Sequence, residues 1–168
     1  MLVIFSGLPG VGKTKIAREL ARQINAVYLR IDSIEQAIRD SALASQSLDD
    51  VGYRVAYTVA EENLRIGRVV IADSVNPLKL TRDAWLNVAK SAEVRAIEIE
   101  VRCSDVNEQR RRVETRVADI PGLMMPAWAD VVAREYHPWH RKHLVIDSAV
   151  RTTEQNVGLI REALSESQ

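Results

Sequence analysis

The sequence predicts an α/β fold in which a parallel sheet lies between layers of helices. Short apolar runs rich in β-branched residues recur along the chain, and stretches of helical periodicity separate them. Each run feeds through a turn into a helix, and parallel strands need crossover connections of that kind. With 168 residues, 46% of them apolar, the chain has the usual size of one domain. A single domain spanning 1–168 is therefore expected.

Leu2 to Phe5 is the first apolar run, ended by a glycine-rich turn. After it, Ile16, Ala17, Leu20, Ala21 and Ile24 fall at helical spacing. Val27 to Ile31 reads as a second strand, followed by a helical stretch with Ile34, Ala37 and Ile38 on one face. Asp49 to Ile66 reads as a third helix, closed by Gly67 as a C-cap. Val69 to Ala72 is a continuous apolar run, the pattern of a strand buried on both faces, with Asp73 at its carboxyl end. Leu78 to Ala92 is helical, and Val94 to Val101 alternates Ile97, Ile99 and Val101 against polar neighbours as a strand. Ser104 to Arg116 is a charged helix. Asp119 to Pro126 holds two prolines and a glycine, too irregular for a core element, and suggests a lid around 104–128. Leu144 to Ile146, capped by Asp147, is the fifth strand, and Thr153 to Leu164 the last helix.

The first turn carries the strongest chemical signal. Gly7-Leu8-Pro9-Gly10-Val11-Gly12-Lys13-Thr14 fits G-x-x-x-x-G-K-[ST], and it lies between a predicted strand and a predicted helix, as that phosphate-binding motif requires. Its glycines let backbone N–H groups curl around phosphate oxygens, and the helix amino terminus adds partial positive charge. Lys13 should bridge the β- and γ-phosphates, and Thr14 should ligate Mg²⁺. The motif predicts a bound nucleoside triphosphate without separating a kinase from an ATPase, a GTPase or a switch. No N-K-x-D tetrapeptide is present to read guanine.

Two carboxylates follow the strands whose carboxyl ends gather ligands in parallel folds. Asp32 is placed to orient or deprotonate an acceptor hydroxyl, and reads equally as a helix N-cap. Asp73 occupies the place of an acidic residue that holds Mg²⁺ or its waters. Arg112 and Arg116, four apart on the charged helix, can converge on one polyphosphate. Which carboxylate is essential stays open.

Charge and composition narrow the classes. The 23 basic and 23 acidic residues cancel, so no whole-molecule field exists to hold a long nucleic acid or an anionic membrane. Eighteen of the basic residues are arginine, the side chain suited to bidentate grips on phosphate. One cysteine, Cys103, cannot form an internal disulfide, and no apolar run is long enough to span a bilayer. A cytoplasmic protein is expected. His137, His140 and His143 fall at spacing three, but Pro138 disturbs a regular helix there and no fourth ligand is evident, so they read as surface or lid-hinge residues. Trp128, Tyr136 and Trp139 read as core and lid packing.

On the loop, Asp32, Asp73 and the arginine pair, the chain resembles the P-loop kinases related to phage polynucleotide kinase, gluconate kinase and chloramphenicol phosphotransferase, AAA-type small ATP-dependent kinases. Tyr28 to Ile38 and Val70 to Pro77, followed by Arg82 and Trp85, are the most similar stretches. The resemblance implies a three-layer P-loop NTPase fold with a five-stranded parallel sheet of order 2-3-1-4-5 and a small lid. It implies ATP and Mg²⁺ as cofactors, Asp32 as the base at the acceptor hydroxyl, Asp73 beside it near the metal, and Arg112 and Arg116 over the phosphates. Tyr53, Arg54 and Tyr57 would lie on the helix that walls the acceptor pocket, with Glu35, Asp73 and Asn76 as further substrate contacts. Polynucleotide kinase has a phosphate-gripping arginine where this chain has Glu35. That departure favours a neutral or cationic small-molecule acceptor over a 5′-hydroxyl nucleic acid. A nucleic-acid end kinase and an ATP-binding switch acting on a protein partner remain the alternatives.

Overall fold

In the computed structural model, which describes residues 1–41 and 50–165, strands and helices alternate as the sequence predicts. The described elements are β1 (Leu2–Ser6), α1 (Lys13–Ile24), β2 (Val27–Arg30), α2 (Ile31–Arg39), α3 (Val51–Arg65), β3 (Val70–Asp73), α4 (Lys79–Ser91), β4 (Ala96–Arg102), α5 (Val106–Thr115), α6 (Trp128–Ala133), β5 (Leu144–Asp147) and α7 (Thr153–Ser165). The five strands form one sheet of order β2-β3-β1-β4-β5, parallel throughout. This is the P-loop NTPase architecture.

Successive side chains of β1 point to opposite faces, and both faces are covered. Val3 and Phe5 pack with Ile16 and Leu20 of α1 and Val157 and Ile160 of α7. Leu2 and Ile4 pack with Ala56, Ala60 and Leu64 of α3 and with Trp85, Val88 and Ala89 of α4. That is why β1 and β3 are buried at every position and read as unbroken apolar runs. The register sets Phe5 and Arg30 beside Asp73, so the carboxyl ends of β1, β2 and β3 finish level.

Strand β4 departs from its sequence reading. Its alternating Glu98 and Glu100 suggest a solvent face, yet they are 7% and 3% exposed. The segment 134–143 lies over them and joins them through ion pairs, with Arg82 and Asp83 of α4 in the same network. Arg141 grips Glu98 at 2.5 and 2.7 Å and Asp83 of α4 at 2.5 Å. Glu100 receives Arg102 at 2.5 Å and meets His143 Nε2 at 3.2 Å. Arg82 of α4 is inserted between the rings of Tyr136 and Trp139, 4.8 and 4.1 Å from their centroids. Its guanidinium donates to the carbonyls of Asn76, Pro77 and His137. Trp139 also stacks on His143. His137 Nε2 meets Glu135 at 2.9 Å.

The expected elements form with ends shifted by one or two residues. Ile31 opens α2 rather than closing β2, and the expected start of α3 at Asp49 lies outside the described residues. Helix α6 has no counterpart in the sequence reading. Its six residues span less than two turns, too few to show a period. Cys103 is buried, its thiol donating to the Asp105 carbonyl at 3.2 Å.

Candidate active site

The loop between β1 and α1 is held from two sides. Gly7 N–H donates to the Val75 carbonyl at 3.0 Å, tying it to the end of β3. From the other side α5 rests on it: Gln109 Nε2 donates to the Pro9 carbonyl at 2.9 Å. At Gly10, where φ is +84°, an added Cβ would lie 2.6 Å from Val113 Cγ2 and 2.9 Å from the Gln109 carbonyl oxygen. Only glycine permits that approach. Helix α1 then begins at Lys13, whose side chain is nearly buried.

Lys13 Nζ donates to Asp73 Oδ1 at 2.7 Å, and Tyr28 OH donates to Asp73 Oδ2 at 2.6 Å. Burial alone would raise the Asp73 carboxyl; the Lys13 ammonium, with hydrogen bonds from Lys13, Tyr28 and Thr14, holds it below the usual carboxylate range. Asp73 therefore stands as an anion behind Lys13 and Thr14. Burial and the same carboxylate push the Tyr28 phenol up.

A cavity of about 620 Å³ opens in front of the loop. Leu8, Pro9, Gly10, Gly12, Lys13 and Thr14 form one wall, and Asp32, Glu35, Gln36 and Arg39 of α2 form another. Arg112 and Arg116 also line it, as do Met124, Met125 and Arg134. Arg112 is fixed: Nε donates to Glu108 Oε1 at 2.8 Å and Nη1 to Ser148 Oγ at 2.9 Å. Arg116 reaches the cavity from the extended C-cap of α5 rather than from its last turn. Its Nε is enclosed with no hydrogen-bond partner among the described residues.

The structure thus brings Lys13, Thr14, Asp32, Glu35, Arg112 and Arg116 around one space. It does not bring every expected contact there. Gly7, Val11 and Asp73 lie behind the wall. Asn76 is fully buried, with φ +51°, and its Nδ2 donates to Ser6 Oγ at 3.1 Å, so it splices the loops after β1 and β3. Tyr57 packs edge-on against Trp85 at 4.6 Å in the apolar cluster under α3, whereas Tyr53 leans on Tyr57 at 5.9 Å with its phenol directed to Ser74 and Asn76, close enough to Glu35 and Asp32 to feel their charge.

Glu35 is half-buried, and burial raises its carboxyl. It faces Arg39 at 3.3 Å, with Arg134 close enough to act on it. Its charge is matched by arginine, which removes the ground for preferring a neutral or cationic acceptor. Arg30, given no role in the sequence reading, holds Asp32 Oδ2 at 3.3 Å and clamps Asp119 at 2.8 and 2.9 Å, with Arg18 adding a third contact at 2.7 Å. Position 39 had a signal, since Glu35 and Arg39 stand at i,i+4 on a helix whose first turn holds Asp32, inside the helix rather than at the N-cap position, which Arg30 takes. Asp119 and Arg134 come from distant, irregular segments and had none.

Among the described residues no three histidine, cysteine, aspartate or glutamate side chains gather as a metal site, and no helix is long and apolar enough to cross a membrane.

The chain belongs to the AAA domain family, whose profile matches residues 2–125. No curated protein matches it. Among solved structures, a Chloroflexus aurantiacus protein provisionally described as a kinase is 21% identical, with TM-score 0.76 over 99% of this chain and 97% of its own. Kti12 of Chaetomium thermophilum, in complex with ADP-AlF3, is 22% identical at TM-score 0.72, covering 97% and 98%. The Mycobacterium tuberculosis APS kinase CysC, with AMPPNP and APS, is 19% identical at TM-score 0.64, covering 98% and 96%. At these identities the likeness is one of fold.

Proposed function

We propose that this protein is a kinase that transfers the γ-phosphate of ATP to a hydroxyl of a small molecule. The observation that carries the reading is that a phosphate-loop lysine and an accessible aspartate, Lys13 and Asp32, look into one cavity whose volume suits a nucleotide tail and a small acceptor. In this reading the acceptor oxygen attacks the γ-phosphorus. The bond from phosphorus to the β,γ-bridging oxygen breaks, its electron pair leaves with ADP, and the hydroxyl proton passes to the Asp32 carboxylate. Lys13, Arg112 and Arg116 hold the charge that spreads over the transferring group, and positioning and electrostatics do most of the work.

The donors at the start of α1 fit Mg²⁺: the Thr14 hydroxyl and the ionised Asp73 carboxylate are neighbouring hard oxygens, and Mg²⁺ in phosphoryl-transfer sites takes one or two protein oxygens beside phosphates and waters. Thr14 would hold it directly, with Asp73, buried behind the wall and hydrogen-bonded to Thr14, supporting it from the next layer; the ion would supply neutralisation of charge on the phosphates. Lys13 shares Asp73, so the lysine is oriented before a nucleotide enters.

The test follows ADP release from Mg·ATP across sugars, sugar acids, nucleosides, nucleoside monophosphates, aminoglycosides, amino alcohols and 5′-hydroxyl oligonucleotides. One acceptor should raise turnover, and Asp32→Asn should lower kcat by about 10² to 10⁴ while ATP still binds. Unaltered turnover in Asp32→Asn would remove the base. A protein that binds ATP and is stimulated by no acceptor would be an ATP-dependent switch instead.

A further inference from the structure

Seven cations and two carboxylates line the cavity, and an accounting of their partners points to the acceptor. Lys13 is matched by Asp73, Arg112 by Glu108, Arg30 by Asp119 and Asp32, and Arg39 by Glu35. Lys15, Arg116 and Arg134 have no ion pair among the described residues. Mg·ATP brings a net charge of about −2, which Lys15, next to the metal-binding Thr14, and Arg116, beyond Arg112, are placed to meet. Arg134 is left over, on the α2 side of the cavity: Glu35, the carboxylate on which it acts, is already paired with Arg39, so one carboxylate faces two guanidinium groups. In the free protein water solvates it. An acceptor that fills the cavity removes that water, and a cation so stripped needs a counter-charge.

The surroundings of Arg134 are built. Asp32, Glu35, Gln36 and Arg39 present one face of α2 to the cavity. Glu35 sits between the two arginines and is backed by Gly52 of α3, where an added Cβ would come within 2.4 Å of Glu35 Cγ. Glu35 is thus closely backed by α3, and its carboxylate pairs at 3.3 Å with Arg39, which also lines the cavity. Arg39 lies seven residues beyond Asp32, about 10 Å along the helix axis, a span that the arginine side chain shortens.

Resting on the kinase reading, we propose that the acceptor carries an oxyanion, a carboxylate or a phosphate ester, which Arg134 and Arg39 grip while its hydroxyl meets Asp32. Guanidinium groups suit both sources of the anion, since each accepts paired N–H donors. Arg39 and Arg134 set specificity; they do not take part in the transfer itself.

Two measurements test this. In the first, inorganic phosphate and D-gluconate are titrated calorimetrically into protein saturated with Mg·AMPPNP in a low-chloride buffer. At least one should bind beside the nucleotide, and Arg39→Gln with Arg134→Gln should weaken it by about tenfold or more. The thermal midpoint of each variant with AMPPNP bound checks that it is folded. Binding of neither probe, or equal binding by the variants, overturns the proposal; a preference between the two probes names the source of the anion. In the second, turnover is compared for matched acceptors: D-gluconate with D-glucitol, and 3′-AMP with adenosine. The charged member of one pair should lead in kcat/KM, and Arg134→Gln should close the gap mainly through KM. Turnover of neutral members that is equal to the charged ones and indifferent to Arg134→Gln overturns the oxyanion grip and leaves the kinase standing. Arginine-dependent anion binding with no turnover of any acceptor does the reverse.

Discussion

Replacing Asp73 with asparagine tests the electrostatic core of the site. The side chain keeps its volume, and Tyr28 still has an oxygen to donate to, but Lys13 loses the counter-charge that it touches at 2.7 Å. The pair is enclosed, with side-chain exposures of 10% and 0%. Removing one member of such a pair strands the other, at a cost of about 3 to 5 kcal/mol. Lys13 borders the cavity and can turn toward water, which places the effect near the lower end, about 3 kcal/mol. For a chain of this length that corresponds to a fall in Tm of about 6 to 12 °C. Differential scanning fluorimetry without nucleotide reads it. Adding AMPPNP with Mg²⁺ chelated should then raise Tm more in the variant than in the parent, because phosphate oxygens supply the charge that Lys13 lacks. Acid titration adds a signed check: a carboxyl held below its unfolded value contributes stability that is full above about pH 4 and is lost as pH falls through the folded value. The parent and variant curves should therefore converge at low pH. An unchanged nucleotide-free midpoint in Asp73→Asn, or parallel curves down to low pH, would refute the reasoning.

Two further substitutions probe the supports of the site. Gly10→Ala places a methyl against Val113 and the Gln109 carbonyl at a positive φ; it should cost about 1 to 3 kcal/mol and lift α5 from the loop, read as a lower urea midpoint together with weaker AMPPNP binding. Arg82→Met keeps the stem between Tyr136 and Trp139 but leaves the carbonyls of Asn76, Pro77 and His137 without that donor. A loss of about 3 kcal/mol is expected, with a change in tryptophan fluorescence from Trp139, and a midpoint equal to the parent's would show that water replaces the guanidinium at no cost.

The strands and the phosphate loop were legible because their signals are contiguous. A strand buried on both faces must be apolar throughout, and the loop's glycines, lysine and threonine lie within eight residues. The sheet order came only from resemblance, since periodicity does not say which strands pair. Glu98 and Glu100 misled for a definite reason: alternation reports which residues share a face, not what covers that face, and here the cover is charged. Arg134 could not be placed because it follows a six-residue helix after an irregular segment. Asn76 shows the reverse case. The motif around it suggests a contact, and its φ of +51°, full burial and bond to Ser6 place it at the join between two loops.

The two arginines that border the cavity most differently are Arg112 and Arg134. Arg112 is held by Glu108 and Ser148 on a helix seated on the phosphate loop, so its rotamers are already restricted when the chain folds. Among the described residues Arg134 has no such bonds, and it keeps its freedom, worth about 2 kcal/mol of side-chain entropy, until a ligand orders it. The phosphate-loop side of the cavity is therefore rigid, whereas the α2 side keeps a side chain still able to choose its pose. In the proposed reading, the grip on the triphosphate is set when the chain folds, and the grip on the acceptor only when the ligand arrives.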